Sequence, residues 1–277
     1  MNKFILVLLA IVVISAIVLA KPDMSLVSAT NIKSDRFVVI PANAVEVADG
    51  VFDLGQSTVD GNVVQGYAFV DYKDKFTHRP GHNKGGVNRT TATTCFSLLA
   101  KGSRWKIAEQ YTLATTNADG MSDAFVSSVI ETSFNTWGNE VTFDVFGTRN
   151  ITAAVDGADT NSPDGKNEVM FGDISSSGVI AVTIVWGIFA GPPGGRELVE
   201  FDMVFDDVDF DFGDAALNAT LMDLQNIATH EDGHVLGLGH PSDSCTEETM
   251  FRFADFGETK KRTLNAGDIA GVHELYG

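Results

Sequence analysis

Apolar and polar positions alternate in short runs over residues 37–72, give way to a polar stretch, and return from residue 95 in a mixed rhythm of strands and helices. The first run, 37–40, stops at Pro41. Residues 44–51 and 63–72 read as strands, with Asp49-Gly50 and Asp60-Gly61-Asn62 as turn signals. They predict a small β-rich region over residues 21–75, either a prosegment or a retained accessory region. Residues 76–94 carry Pro80, Gly81, Gly85, Gly86 and a threonine-rich tail, the composition of a linker, so the domain boundary is expected there. Beyond it, strands are expected at 105–114, 141–146, 168–171, 179–186 and 198–205. Ser122 is placed to cap a helix reaching residue 137, whose Val126, Ile130, Phe134 and Trp137 fall on one face. A second helix is expected over 220–236 and a third over 268–276. No internal repeat is visible.

The second helix carries the chemistry. His230-Glu231-Asp232-Gly233-His234-Val235-Leu236-Gly237-Leu238-Gly239-His240 reads H-E-x-x-H-x-x-G-x-x-H. Residues four apart share a helix face, so His230 and His234 can address one metal ion. Glu231 is placed to reach a water on that metal. Gly237 accepts left-handed backbone angles cheaply, so the helix can stop and the chain can turn back to deliver His240. Three protein ligands and an open fourth position are the arrangement of a catalytic zinc; a structural site is closed.

Composition narrows the setting. The chain has 277 residues, a formal net charge of −18 and 44% apolar residues. The core can be large, and nucleic acid, which needs a basic footprint, is excluded as a partner. Residues 4–20 are apolar except for Ser15, follow Lys3 and end in Val18-Leu19-Ala20, the pattern of a signal peptide over residues 1–20. A retained N-terminal anchor is the alternative, and it would be the chain's sole membrane contact. Either way residues 21–277 are expected outside the cytoplasm, secreted or held at the cell surface. The sequons at Asn88, Asn150 and Asn218 agree with export. In that setting the two cysteines, Cys95 and Cys245, are expected to form a disulfide. His78 and His82 read as exposed linker histidines.

Thr249-Met250-Phe251, ten residues past His240, completes a likeness: the long histidine motif followed by a methionine turn resembles the metzincins. The order of elements resembles a matrixin catalytic domain over residues 95–277. The ending Gly267-Asp268-Ile269-Ala270-Gly271-Val272-His273-Glu274-Leu275-Tyr276-Gly277 is similar to that family's terminal helix. The resemblance implies an α+β fold with a twisted mixed five-stranded sheet and three helices. It implies one catalytic Zn²⁺ on His230, His234 and His240, Glu231 as catalytic base, and Met250 as a hydrophobic floor. Residues 178–186 would be the edge strand that an extended peptide joins, with Phe251 and Phe253 lining a pocket beyond the cut bond. The chain looks like a minimal secreted prokaryotic-type matrixin without a hemopexin-like domain.

Other implications stay open. The family's latent forms carry a zinc-bound cysteine, which offers Cys95 a second role, although Thr94-Cys95-Phe96 lacks the Pro-Arg-Cys-Gly context. Matrixins bind calcium, and Asp202, Asp206, Asp207, Asp209, Asp211 and Asp214 are carboxylates of the right type. On a strand, Asp207, Asp209 and Asp211 would share one face, so a solvated edge strand explains them equally well. No histidine lies between His82 and His230, so the family's second, structural zinc is not expected. Pro241 and Asp232 depart from the family pattern; a buried Asp232 would be costly unless paired. The reading is a secreted monomeric zinc endopeptidase acting on polypeptides. The alternatives are a non-catalytic zinc-binding surface glycoprotein and an anchored structural glycoprotein.

Overall fold

A computed structural model describes residues 37–73, 93–152 and 154–277. Residues 1–20, expected to be a signal segment, His78, His82, the Asn88 sequon and most of the expected linker lie outside the described residues. One mixed sheet organises the rest. Its strands are β1 (Val45–Ala48), β2 (Val51–Val59), β3 (Asn62–Lys73), β4 (Glu109–Leu113), β5 (Phe146–Ile151), β6 (Glu168–Phe171), β7 (Val179–Ile188), β8 (Glu197–Phe205) and β9 (Phe253–Ala254). The spatial order is β1-β2-β3-β7-β8-β6-β4-β5, with β9 beside the end of β3. Strands β1, β2, β3, β7 and β8 pair antiparallel in succession, and β8, β6, β4 and β5 run parallel. Helices α1 (Asp123–Gly138), α2 (Leu224–Val235) and α3 (Ala266–Tyr276) complete the regular structure.

The sequence explains the placement. Strand β7 reads Val-Ile-Ala-Val-Thr-Ile-Val-Trp-Gly-Ile, an almost unbroken apolar run, because the sheet is covered on both faces around it. Its Val182, Ile184 and Trp186 enter one core with Leu54, Val64, Ala68 and Val70 of the N-terminal strands. Its Ala181 and Val185 enter the other, which holds the buried residues of α1, α2 and α3. The period of two along the strand divides the two cores. On α1, the Ser122 hydroxyl accepts from Phe125 N at 3.2 Å, and Val126, Ile130, Phe134 and Trp137 are buried. That is the N-cap and helical face expected from sequence.

Four expectations change. Among the described residues the sheet has nine strands, not five: the five expected after residue 95 exist as β4–β8, and β1–β3 and β9 extend the same sheet. The strand expected at 141–146 lies at Phe146–Ile151, because Val145 turns its carbonyl onto Glu109 N (2.7 Å) at the head of the β4–β5 pairing. Helix α2 starts at Leu224 rather than near 220. Asp223 caps it, accepting from Asn226 N at 2.8 Å, after pairing with Gly213 in a short parallel bridge. Asp207, Asp209 and Asp211 do not share a strand face: β8 ends at Phe205, and Asp206 Oδ1 accepts from Val208 N and Asp209 N (both 3.1 Å) to start a turn.

Candidate metal centre

Helix α2 presents His230 and His234 one turn apart, toward β3 and β7. The helix stops where Gly237 adopts φ +94°, with Gly237 N donating to His234 O at 2.9 Å. Its last carbonyls are not left bare: Trp105 Nε1 donates to Val235 O (2.8 Å) and Tyr276 Oη to Leu236 O (3.0 Å). The chain then runs back through Leu238–Gly239, which pairs with Ser97–Leu98, and delivers His240 to the other two.

All three imidazoles are oriented in the same way. Nδ1 of His230 faces Thr249 O at 2.6 Å, that of His234 faces Leu238 O at 2.9 Å, and that of His240 faces Asp49 O at 3.3 Å. A carbonyl only accepts, so each Nδ1 carries the proton and each Nε2 offers a lone pair. Lys261 Nζ lies 3.4 Å from His230 Nδ1, but the Thr249 carbonyl is much nearer and decides the tautomer. The Nε2 atoms of His234 and His240 are 3.1 Å apart. Two lone pairs facing each other at that distance need a cation between them, and soft-to-borderline nitrogen donors in this number suit Zn²⁺. Burial pushes His230 down to about 3 and lowers His234, which keeps both rings in the neutral, ligating form. A fourth group joins them. Asp71 Oδ1, from β3, lies 2.8 Å from His230 Nε2 and 2.9 Å from His240 Nε2. One ligand atom from each of Asp71, His230, His234 and His240 falls within 4.8 Å of the others.

Glu231 sits beside this cluster. Its Oε2 accepts from Thr183 Oγ1 of β7 at 2.6 Å, whereas its buried Oε1 has no hydrogen-bond partner. Burial, and then the charge of Asp71, push its carboxyl well above the usual range. Underneath, Met250 is fully buried and packs on the α2 backbone at Gly233. A Cβ there would come within 2.2 Å of the Met250 sulfur. The methionine turn is pinned by Asp268, which accepts from Thr249 N (2.7 Å), Met250 N (3.1 Å) and Asn265 N (2.8 Å). Asp268→Ala would strand two buried donors, each costing about 1–3 kcal/mol, and a partly buried third. The variant is expected to lose at least about 2 kcal/mol in a denaturant titration. A loss within error would show that the turn is held elsewhere.

Asp232 is fully buried with neither carboxylate oxygen hydrogen-bonded; nearby Ser133 spends its hydroxyl on Ile130 O (2.8 Å). Burial raises its pKa well above the ordinary value, so the folded chain holds a proton there that the unfolded chain releases. Its contribution to stability is therefore full below the ordinary carboxylate pKa and is lost as pH rises. Asp232→Asn removes that dependence. Its stability relative to the parent chain is expected to rise as pH climbs above the ordinary carboxylate range, with a slope of at most about 1.4 kcal/mol per pH unit. A pH-independent difference would mean that Asp232 is ionised in the fold.

Cys95 and Cys245 are bonded, with Cα atoms 5.7 Å apart, so the Cys95 sulfur is not a metal ligand here. The carboxylates of 202–214 do not gather around a common point. Asp202 accepts from Asp159 N (2.8 Å), Asp207 from Ala118 N (2.6 Å), and Asp214 pairs with Arg262 (2.6 Å). Among the described residues, the other acidic group whose oxygens converge is Asp159, Asp164 and Glu200. Strand β7 is not an edge, since β3 and β8 flank it. Phe251 and Phe253 stack edge-on at 5.6 Å, with Phe253 in β9 paired to Tyr72.

Asp71 was not visible as a site residue. One signal was available: in Tyr67-Ala68-Phe69-Val70-Asp71-Tyr72 it is the lone charge in an apolar strand, and it shares the parity of Tyr67 and Phe69. Phe69 stacks on His234, with ring centroids 4.0 Å apart.

Comparisons with known proteins agree with this geometry. Residues 104–277 match the family model of the matrixin peptidases. Metalloendoproteinase 4-MMP of Arabidopsis thaliana is 42% identical over 72 residues, 25% of this chain and 19% of that protein. Metalloendoproteinase 1-MMP of the same plant is 46% identical over 57 residues, 20% of this chain and 15% of that protein. The matched segments thus cover less than a fifth of these relatives. With the family model covering well over half of its length, and with the three histidines, Glu231 and the methionine turn assembled in one place, the chain belongs to the matrixins.

Proposed function

We propose that the protein is a zinc endopeptidase. His230, His234 and His240 hold the metal through Nε2. Bound there, Zn²⁺ supplies a Lewis acid for the scissile carbonyl and lowers the pKa of water. Glu231 receives the proton of the attacking water at Oε1 and hands it to the leaving amine. Thr183 keeps Oε2 occupied, so a single oxygen faces the chemistry. Met250 fixes the depth of α2, and Cys95–Cys245 ties the histidine loop to the start of the matrixin region. The observation that carries the reading is the pair of opposed Nε2 lone pairs beside an unpartnered Glu231 Oε1.

Residues 1–20 direct export, and the mature chain works outside the cytoplasm as a monomer on polypeptides. Among the described residues no helix is long and apolar enough to cross a membrane. The test is metal content together with hydrolysis of an unstructured protein such as casein, after proteolytic or mutational opening of the N-terminal strands. One zinc per chain, activity abolished by a chelator and restored by Zn²⁺, is the expected result. Hydrolysis indifferent to the chelator would sink the proposal.

A further inference from the structure

Strand β3 lies across the metal centre in the manner of a bound peptide. It pairs antiparallel with β7 from Gln65 opposite Gly187 to Asp71 opposite Ala181, and its last residues, Tyr72 and Lys73, pair in parallel with Phe253 and Ala254 of β9. Near the histidines it therefore lies in the slot between β7 and β9. The fit is close: a Cβ on Gly66 would meet the Trp186 ring at 2.7 Å. At the centre of the slot, Asp71 is 4% exposed and turns its carboxylate onto all three imidazoles. Oδ1 makes the two short contacts already described, and Oδ2, 3.5 Å from His234 Nε2, is buried without a hydrogen-bond partner. A carboxylate is acceptor-only when ionised. Opposite three Nε2 lone pairs it repels them, unless a cation is shared by all four groups. Removing β3 would leave β7 with a row of unpaired backbone donors and acceptors, which an extended polypeptide satisfies by strand addition.

We propose that Asp71 is the fourth ligand of the zinc and that β3 is an internal occupant of the substrate slot, so that the chain is latent until β3 is withdrawn. The proposal rests on the peptidase reading for the slot, but its ligand assignment does not require catalysis. The carboxylate takes the coordination position that water needs, and the strand takes the backbone pairing that a substrate needs. Latency here is thus a competition for one position on the metal and one sheet edge, both met by residues 65–73 of one strand.

The test uses the full chain loaded with Co²⁺, whose visible spectrum reports coordination, and with Zn²⁺ for hydrolysis. Asp71→Asn keeps the shape and weakens the ligand, and Asp71→Ala removes it. Acetohydroxamate, a small chelating acid, probes for an open position. The expected result is a shifted Co²⁺ spectrum in both variants, hydroxamate binding at least tenfold tighter than to the parent chain, and faster loss of metal to a competing chelator. Cleavage of a short chromogenic peptide should also rise at least tenfold in Asp71→Ala. Identical spectra, with hydroxamate already bound by the parent chain, would overturn the assignment. A shifted spectrum with no hydrolysis by any variant would uphold Asp71 as a ligand and overturn the peptidase reading instead. If Asp71→Ala does not fold, Asp71→Asn decides the spectroscopic arm.

Discussion

Glu231→Ala, made in a chain already opened at β3, is expected to keep one zinc per molecule and to lose hydrolysis by about 10²–10⁴-fold, the usual contribution of a positioned general base. Glu231 is not among the four groups that converge on the metal position. Its Oε2 accepts from Thr183 Oγ1, and its buried Oε1 has no hydrogen-bond partner. The substitution therefore removes a proton carrier and leaves all three Nδ1 contacts intact. It also relieves the fold of a fully buried carboxyl, so thermal stability should not fall in step with activity. Residual turnover is expected, because Lewis-acid polarisation of the carbonyl does not pass through Glu231. The measurement is hydrolysis rate at matched zinc content. Unchanged proteolysis by zinc-loaded Glu231→Ala protein would remove Glu231 from the mechanism. A parallel loss of zinc and rate would mean that it holds the metal.

Replacing both cysteines by serine is expected to cost up to about 5 kcal/mol of unfolding free energy, on the chain-entropy model for a crosslink of this span. The bond joins residues 150 apart, from the segment before β4 to the loop between His240 and Met250. That loop has little regular structure of its own, and it connects the third histidine to the methionine turn. Nearby Gly267 lies so close to Cys95 that a Cβ there would meet the Cys95 carbonyl at 2.3 Å. Loss of the crosslink should therefore loosen His240 and the start of α3 together. Midpoint shifts in denaturant, read with and without zinc, check the size of the effect. Equal stability of the two forms would show that packing alone closes this loop.

Local pattern accounts for what could be read before the structure. The Ser122 cap and the Val126–Ile130–Phe134–Trp137 face lie within one helix, so their signals are contained in sixteen residues. The eleven-residue histidine motif is equally local, and its spacing alone places His230 and His234 on one side of α2. The pairing of β3 with β7 joins residues more than a hundred positions apart, and no short-range pattern encodes it. Strand β2 was not recognised because Asp53, Gly55, Gln56, Ser57 and Thr58 interrupt any apolar alternation; it is recruited by its neighbour β3 rather than by its own sequence. The run of aspartates after β8 misled in the opposite way. Their alternation imitates a strand, but Asp206 bonds the backbone amides that a strand would need. Asp232 shows a further limit: an acid in a helix interior gives no sign from sequence of whether it is buried.

The carbonyl that orients His240 belongs to Asp49, in the turn between β1 and β2, and the Asp49 carboxylate meets Arg252 at 2.8 Å, just past the methionine turn. The N-terminal hairpin thus reaches both the third histidine and the segment that follows the methionine turn. Thermodynamic linkage follows. If docking of the N-terminal hairpin raises the affinity for zinc by some factor, zinc must strengthen docking by that same factor. A dissociation constant measured on the intact chain is then a joint property of metal and hairpin. Zinc scarcity and hairpin release become two ways of drawing on one equilibrium.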